Sequence, residues 1–188
     1  MFALKYFLSI SVLLTCFWIN PAVSADPSAG EQKAASCVGC HGVQGKSNNS
    51  AWPNLAAQQA TYLANQLSAF KSGARANAMM QAMAANLGDE DMANLAAYFA
   101  SLPAVGIEGD AALASAGETK AAMCLGCHGA KAQGNGQFPR LAGQHPEYLV
   151  AQLKSFKEGV RKNGMMQGIA ANLSEEDMRQ MAAYLSRL

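Results

Sequence analysis

Cys37-Val38-Gly39-Cys40-His41 is the stretch on which the reading of this chain turns. Two thiols three positions apart reach the two vinyl groups of one haem, and the residue that follows turns its imidazole to the iron. The arrangement returns as Cys124-Leu125-Gly126-Cys127-His128, so four of the five cysteines and two of the three histidines serve one pattern. A single copy would equally suit a disulfide or a zinc site. Two copies in matched surroundings point to two covalently bound haem c groups, attached at Cys37, Cys40, Cys124 and Cys127 and ligated by His41 and His128. Gly39 is expected to allow a close turn between the first pair of thiols.

Working outward, the surroundings repeat as well. Ser28-Ala29-Gly30-Glu31 is answered by Ser115-Ala116-Gly117-Glu118, Pro53-Asn54-Leu55 by Pro139-Arg140-Leu141, and Tyr62-Leu63 by Tyr148-Leu149. Arg75-Ala76-Asn77 meets Arg161-Lys162-Asn163, and Ala97-Tyr98 meets Ala183-Tyr184. The second copy has lost one residue from its loop. The chain is therefore an internal duplication, with a first domain over 26–102, a linker over 103–110 containing Gly106 and Gly109, and a second domain over 111–188. Within the first copy, residues 29–35 read as a short helix that delivers the cysteines, and 42–53 as a loop rich in Gly, Asn and Ser. Residues 58–71 have helical period, with Tyr62, Leu63, Leu67 and Phe70 on one side. Asp89-Glu90-Asp91 opens a last helix with Met92, Leu95, Ala96 and Phe99 inward, acidic residues being favoured at that end. Strand-like alternation is missing from both copies, so the fold class is all-α.

The 51% hydrophobic content overstates the core. Lys5, an apolar run over 6–19, Pro21 and the small-residue ending Val23-Ser24-Ala25 form a secretory signal over 1–25. That run is shorter than the roughly 20 residues of a membrane span, and Cys16 leaves with it. Loss of Lys5 balances basic and acidic side chains, so nucleic-acid binding has no electrostatic footing. Modules of about 80 residues are small for a self-sufficient core. Haem supplies the missing apolar mass, and the apoprotein is expected to fold poorly. Export to a periplasm, where disulfide formation competes for thiols, fits the attachment chemistry.

An iron held by one histidine takes a second protein ligand in an electron carrier, and methionine thioether is the usual one. Met79 pairs with Met165 and Met80 with Met166, whereas Met83 falls opposite Ile169. The residues alone do not choose between the two pairs, and either could be core filler. His145, whose repeat partner is Gln59, reads as a surface or capping histidine at a helix start. Pro53 and Pro139 are placed for their carbonyls to accept the proton of the histidine Nδ1. Arg75 and Arg161 suit haem propionates and equally suit solvent, while Tyr62 and Tyr148 can pack on haem or between modules.

The two C-x-x-C-H-G units, the Pro-x-Leu-Ala-x-Gln stretches at 53–58 and 139–144, the Met-Met clusters and the Leu-x-x-x-Asp helix starts resemble the dihaem cytochrome c4 family. The resemblance spans essentially the whole mature chain. It implies two tandem class I cytochrome c domains related by a pseudo-twofold, with the axial methionine seven residues before the leucine that precedes the last helix. Those positions are Met80 before Leu87 and Met166 before Leu173, leaving Met79 and Met165 as packing neighbours. It further implies an electron-transfer protein, not an enzyme, that carries electrons in the periplasm toward a terminal oxidase. Its partners would be a redox donor and acceptor among membrane-bound respiratory complexes, with any membrane association peripheral. The alternative is a cytochrome subunit accepting electrons from a partner dehydrogenase such as a flavoprotein. A dihaem peroxidase-type enzyme would need an open iron.

Overall fold

A computed structural model describes residues 24–188, so the expected signal segment lies outside the described residues except for Ser24 and Ala25. Among the described residues the regular structure is helical, with two isolated bridges, Arg75 to Arg161 and Asn135 to Phe138, in place of strands. Helix α1 (Pro27–Ala34) starts at an Asp26 cap followed by Pro27, whose fixed φ suits a first turn. The chain then tightens into a 3₁₀ turn (Ala35–Cys37) before the short α2 (Val38–His41). In the second copy this whole stretch is one helix, α6 (Ala111–His128). The difference is local: Ser36 Oγ donates to the Lys33 carbonyl at 3.2 Å, a competing bond that the equivalent Met123 cannot make. Gly39 sits inside α2 with open space where a Cβ would be. The close turn expected of it is not needed, because the motif is helical there.

The remaining elements come in matching sets. Helices α3 (Ala60–Lys71), α4 (Ala78–Ala84) and α5 (Asp89–Ser101) are answered by α7 (Pro146–Lys157), α8 (Gly164–Ala171) and α9 (Glu175–Ser186). The inward residues expected of α5 are buried, Met92, Leu95, Ala96 and Phe99 all being 5% exposed or less. On α3, Leu63 and Phe70 are buried, but Tyr62 turns to the other module. Each copy keeps its own core. Leu63, Leu95 and Phe99 anchor the first, and Leu149, Met178, Met181 and Leu185 the second.

Within each core the N-terminal helix lies directly on the last helix. A Cβ on Gly30 would stand 2.1 Å from the Asn94 carbonyl oxygen, and one on Gly117 would stand 2.0 Å from that of Gln180. Only glycine allows that approach. Lys33 and Asp91 pair across the first crossing at 2.8 Å, and Lys120 pairs with Asp177 across the second. Both aspartates also accept from the backbone that starts their helices, Asp91 from Gly88 N and Asp177 from Ser174 N.

The two modules meet in a reciprocal polar cluster. Arg75 donates to Tyr148 Oη at 2.9 Å and to Gln152, while Arg161 donates to Tyr62 Oη at 2.9 Å and to Gln66. Each guanidinium lies over a phenylalanine of its own module, Phe70 or Phe156. The antiparallel bridge between the two arginines themselves marks the pseudo-twofold. Both arginines and both tyrosines, whose use the sequence leaves open, thus serve the seam between modules. The linker is pinned to the second module. Arg187 donates to the Gly109 carbonyl at 2.6 Å, and a Cβ on Gly143 would fall 1.8 Å from the Val105 oxygen.

Two outcomes follow for stability. Gly117→Ala should cost about 3 kcal/mol by overpacking at the crossing, whereas Gly126→Ala, with open space at its Cβ, should cost nothing measurable; thermal unfolding followed by circular dichroism checks both. The lysine hydrogen bonds, foremost among the causes, hold Asp91 and Asp177 below the ordinary carboxylate range. Their contribution is therefore complete above the unfolded value of about 3.9 and is lost as pH falls through the lower folded value. Asp91→Asn with Asp177→Asn should lower stability at neutral pH and flatten its acid dependence below about pH 4, as denaturant titrations across that range would reveal.

Candidate haem sites

The two cysteines and the histidine of each module fall within little more than one turn, in the 3₁₀ turn and α2 of the first module and at the end of α6 in the second. Cys37 and Cys40 are half-buried, as is Cys124, and Cys127 is exposed; none is in a disulfide. Burial pushes the Cys37 thiol up, and that of Cys124 to about 11. His41 and His128 are buried, at 9% and 7% exposure.

Each histidine ring is fixed by the loop that follows it. His41 Nδ1 lies 2.9 Å from the Pro53 carbonyl oxygen, and His128 Nδ1 lies 2.8 Å from that of Pro139. A carbonyl can only accept, so Nδ1 carries the proton and Nε2 keeps its lone pair. Burial, only partly opposed by that bond, lowers both imidazole pKa values, which favours the neutral ring that a metal requires.

The methionine pairs separate by exposure and by backbone. Met79 and Met165 are 57% and 58% exposed. The packing role expected of them is therefore not what they have: they point outward from the first turn of α4 and α8. Met80 and Met166 are partly buried. Asn77 caps α4 by accepting from Met80 N at 2.9 Å, and Asn163 caps α8 by accepting from Met166 N at 3.0 Å. The repeated Asn-x-x-Met was a legible capping signal in the sequence. A neutral imidazole with a free Nε2, a thioether and two uncrosslinked thiols in each module together match the donor set of covalently attached haem.

The loops that carry the two prolines also carry contacts that sequence reasoning missed. Gln144 Oε1 accepts from Asn54 N at 2.9 Å and its Nε2 donates to Asn54 O at 3.0 Å. In the reciprocal place, Gln58 Oε1 accepts from Arg140 N at 2.7 Å and its Nε2 donates to Arg140 O at 3.0 Å. Both glutamines are buried. His145 stands at the N-cap position of α7 without capping it, and its Nε2 lies 3.0 Å from the Ser47 carbonyl of the other module. That Gln58 and Gln144 are repeat partners was visible, but nothing in a repeat says which module a side chain faces.

The cytochrome c family matches this chain twice, over residues 28–103 and 114–188. Cytochrome c4 of Thiocapsa roseopersicina is 42% identical over 87% of this chain and 93% of its own length. The thiosulfate dehydrogenase electron acceptor of Thiomonas intermedia is 36% identical over 95% of this chain and 89% of its own length. The crystal structure of reduced cytochrome c4 from Pseudomonas stutzeri superposes with a TM-score of 0.84 at 36% identity, covering 87% of this chain and 99% of that one. A duplicated helical module that fixes a neutral histidine beside two free thiols, found twice in one chain with these relatives, is a dihaem electron-transfer protein with two covalently bound haem c groups, and the chain belongs to the cytochrome c4 family.

Proposed function

We propose that the chain is made with a signal peptide over 1–25 and works in the periplasm as an electron carrier toward a terminal oxidase of a respiratory chain. Its domains are 26–102 and 111–188, joined by 103–110. Cys37 and Cys40 attach the first haem and Cys124 and Cys127 the second. His41 with Met80 would hold the iron of the first haem, and His128 with Met166 that of the second. When bound, haem supplies a one-electron couple between ferric and ferrous iron. The protein's part would be to supply both ligands from its own side chains, so that no added molecule is taken up. The single observation that carries this reading is that each module pairs a proline-anchored, buried histidine with a methionine whose amide is capped by asparagine. Among the described residues no helix is long and apolar enough to cross a membrane. The protein's partners are a redox donor and acceptor among membrane-bound respiratory complexes, met by peripheral docking.

A second reading keeps the carrier chemistry but ties it to one dehydrogenase. It is favoured by the similarity to a thiosulfate dehydrogenase electron acceptor. Reduction of the purified protein by such an enzyme at a rate that saturates with carrier concentration would support it over a general periplasmic carrier.

Carbon monoxide binding to the reduced protein, followed by visible spectroscopy with haem stoichiometry, tests the ligand assignment. The expected result is two haems and negligible binding. Met80→Ala and Met166→Ala should each open one iron while leaving both haems attached, and Met79→Ala and Met165→Ala should open none. Prompt binding by the unmodified protein at one iron would overturn the two-methionine assignment and bring the peroxidase-type reading forward.

A further inference from the structure

The Pro53 carbonyl and the Asn54 N–H belong to one peptide group, and so do the Pro139 carbonyl and the Arg140 N–H. In the first module that peptide accepts from His41 Nδ1 on one edge and donates to Gln144 Oε1 of the second module on the other. In the second it accepts from His128 Nδ1 and donates to Gln58 Oε1 of the first. We infer that Gln144 and Gln58 are positioning residues that act crosswise, each tuning the histidine of the opposite module through a single peptide plane.

The physical argument is polarisation. A peptide whose N–H is engaged by a good acceptor carries more negative charge on its carbonyl oxygen, and hydrogen bonds in series strengthen one another by about 10–30 per cent. A stronger acceptor at Nδ1 gives the imidazole more anionic character and raises its basicity toward a metal. A more basic ligand favours ferric iron, so each glutamine holds the potential of the opposite haem down. The geometry is well made for this purpose. Both glutamines are about 5% exposed, and each grips the far residue at both its N–H and its C=O. Each Oε1 also accepts from the following amide of its own chain, His145 N or Gln59 N, which fixes the amide orientation. Other polar contacts of the seam, such as Arg75 with Tyr148, touch neither peptide.

This inference rests on His41 and His128 being the axial ligands, and its test is separable from that assignment. Potentials of the two haems are followed individually in the haem-loaded protein by their haem-methyl NMR resonances during a redox titration, together with the ¹⁵N shift of each histidine Nδ1 in the reduced state. Gln144→Leu should favour reduction of the first haem by about threefold, about 28 mV at 59 mV per tenfold, and leave the second unmoved. Gln58→Leu should do the same to the second haem alone. The histidine Nδ1 shift should change only in the module opposite the substitution. Tyr148→Phe, which loosens the same seam elsewhere, should move neither. If a glutamine substitution shifts its own module's haem, both haems together, or none, while the spectrum keeps its histidine–methionine signature, the crosswise relay is wrong. Loss of that signature in the unmodified protein would instead mean that the axial assignment had failed.

Discussion

The hydrogen bond from His41 Nδ1 to the Pro53 carbonyl, with its copy from His128 to Pro139, fixes the histidine ring of each module to the loop that follows it. A ring that is to ligate iron through Nε2 must give up its other nitrogen to a fixed acceptor, or it will rotate and exchange tautomers. The acceptor lies in a loop with little regular structure, so that loop has to be held by something else. In the first module Asn54 provides part of the hold, its side chain accepting from Ser47 N at 2.8 Å and donating to the Gly143 carbonyl at 2.9 Å. The rest comes from the glutamine of the other module. The site is thus stiff because the modules are joined.

That dependence explains why the N-terminal and last helices lie so close. The cysteines and the histidine directly follow the N-terminal helix in the first module and end it in the second, so their place relative to the loop is set by where that helix rests on the body of its module. Gly30 on Asn94 and Gly117 on Gln180 fix the crossing by backbone contact, which leaves less room to slide than side-chain packing would. The asparagine caps do a similar job for the methionines, tying the amide of Met80 or Met166 to the first turn of its helix.

Much of this was legible in the sequence, and for physical reasons. The duplication, the helices and the inward faces follow from repeated spacing and helical period, which depend on neighbours along the chain. The proline acceptors followed from chemistry, since a ligating histidine needs one. What the sequence did not reveal is adjacency between copies. Tyr62 has the period of a core residue, yet it reaches Arg161, and Gln58 belongs to the same repeat as Gln144 without indicating that each crosses over. A duplicated sequence tells which positions are equivalent. It cannot separate a contact within a module from its image between modules, because both produce the same repeat.

The pseudo-twofold is kept in position but not in chemistry, and the departures fall where the modules touch the haem loops. At the N-cap position of α3, Gln59 donates to Gln133 O and accepts from Gly136 N across the seam. His145, at the same place on α7, reaches Ser47 O instead. Asn54 is buried with both side-chain ends engaged, while the equivalent Arg140 is half-buried, and its peptide rests on Gln58. The peptide behind His41 is therefore braced on more sides than the one behind His128. The histidines, prolines and glutamines are the same in both copies, so differences between the two sites on the histidine side come from this bracing and from the Phe138 ring that stands edge-on to His128 at 6.3 Å, where the first module has Trp52.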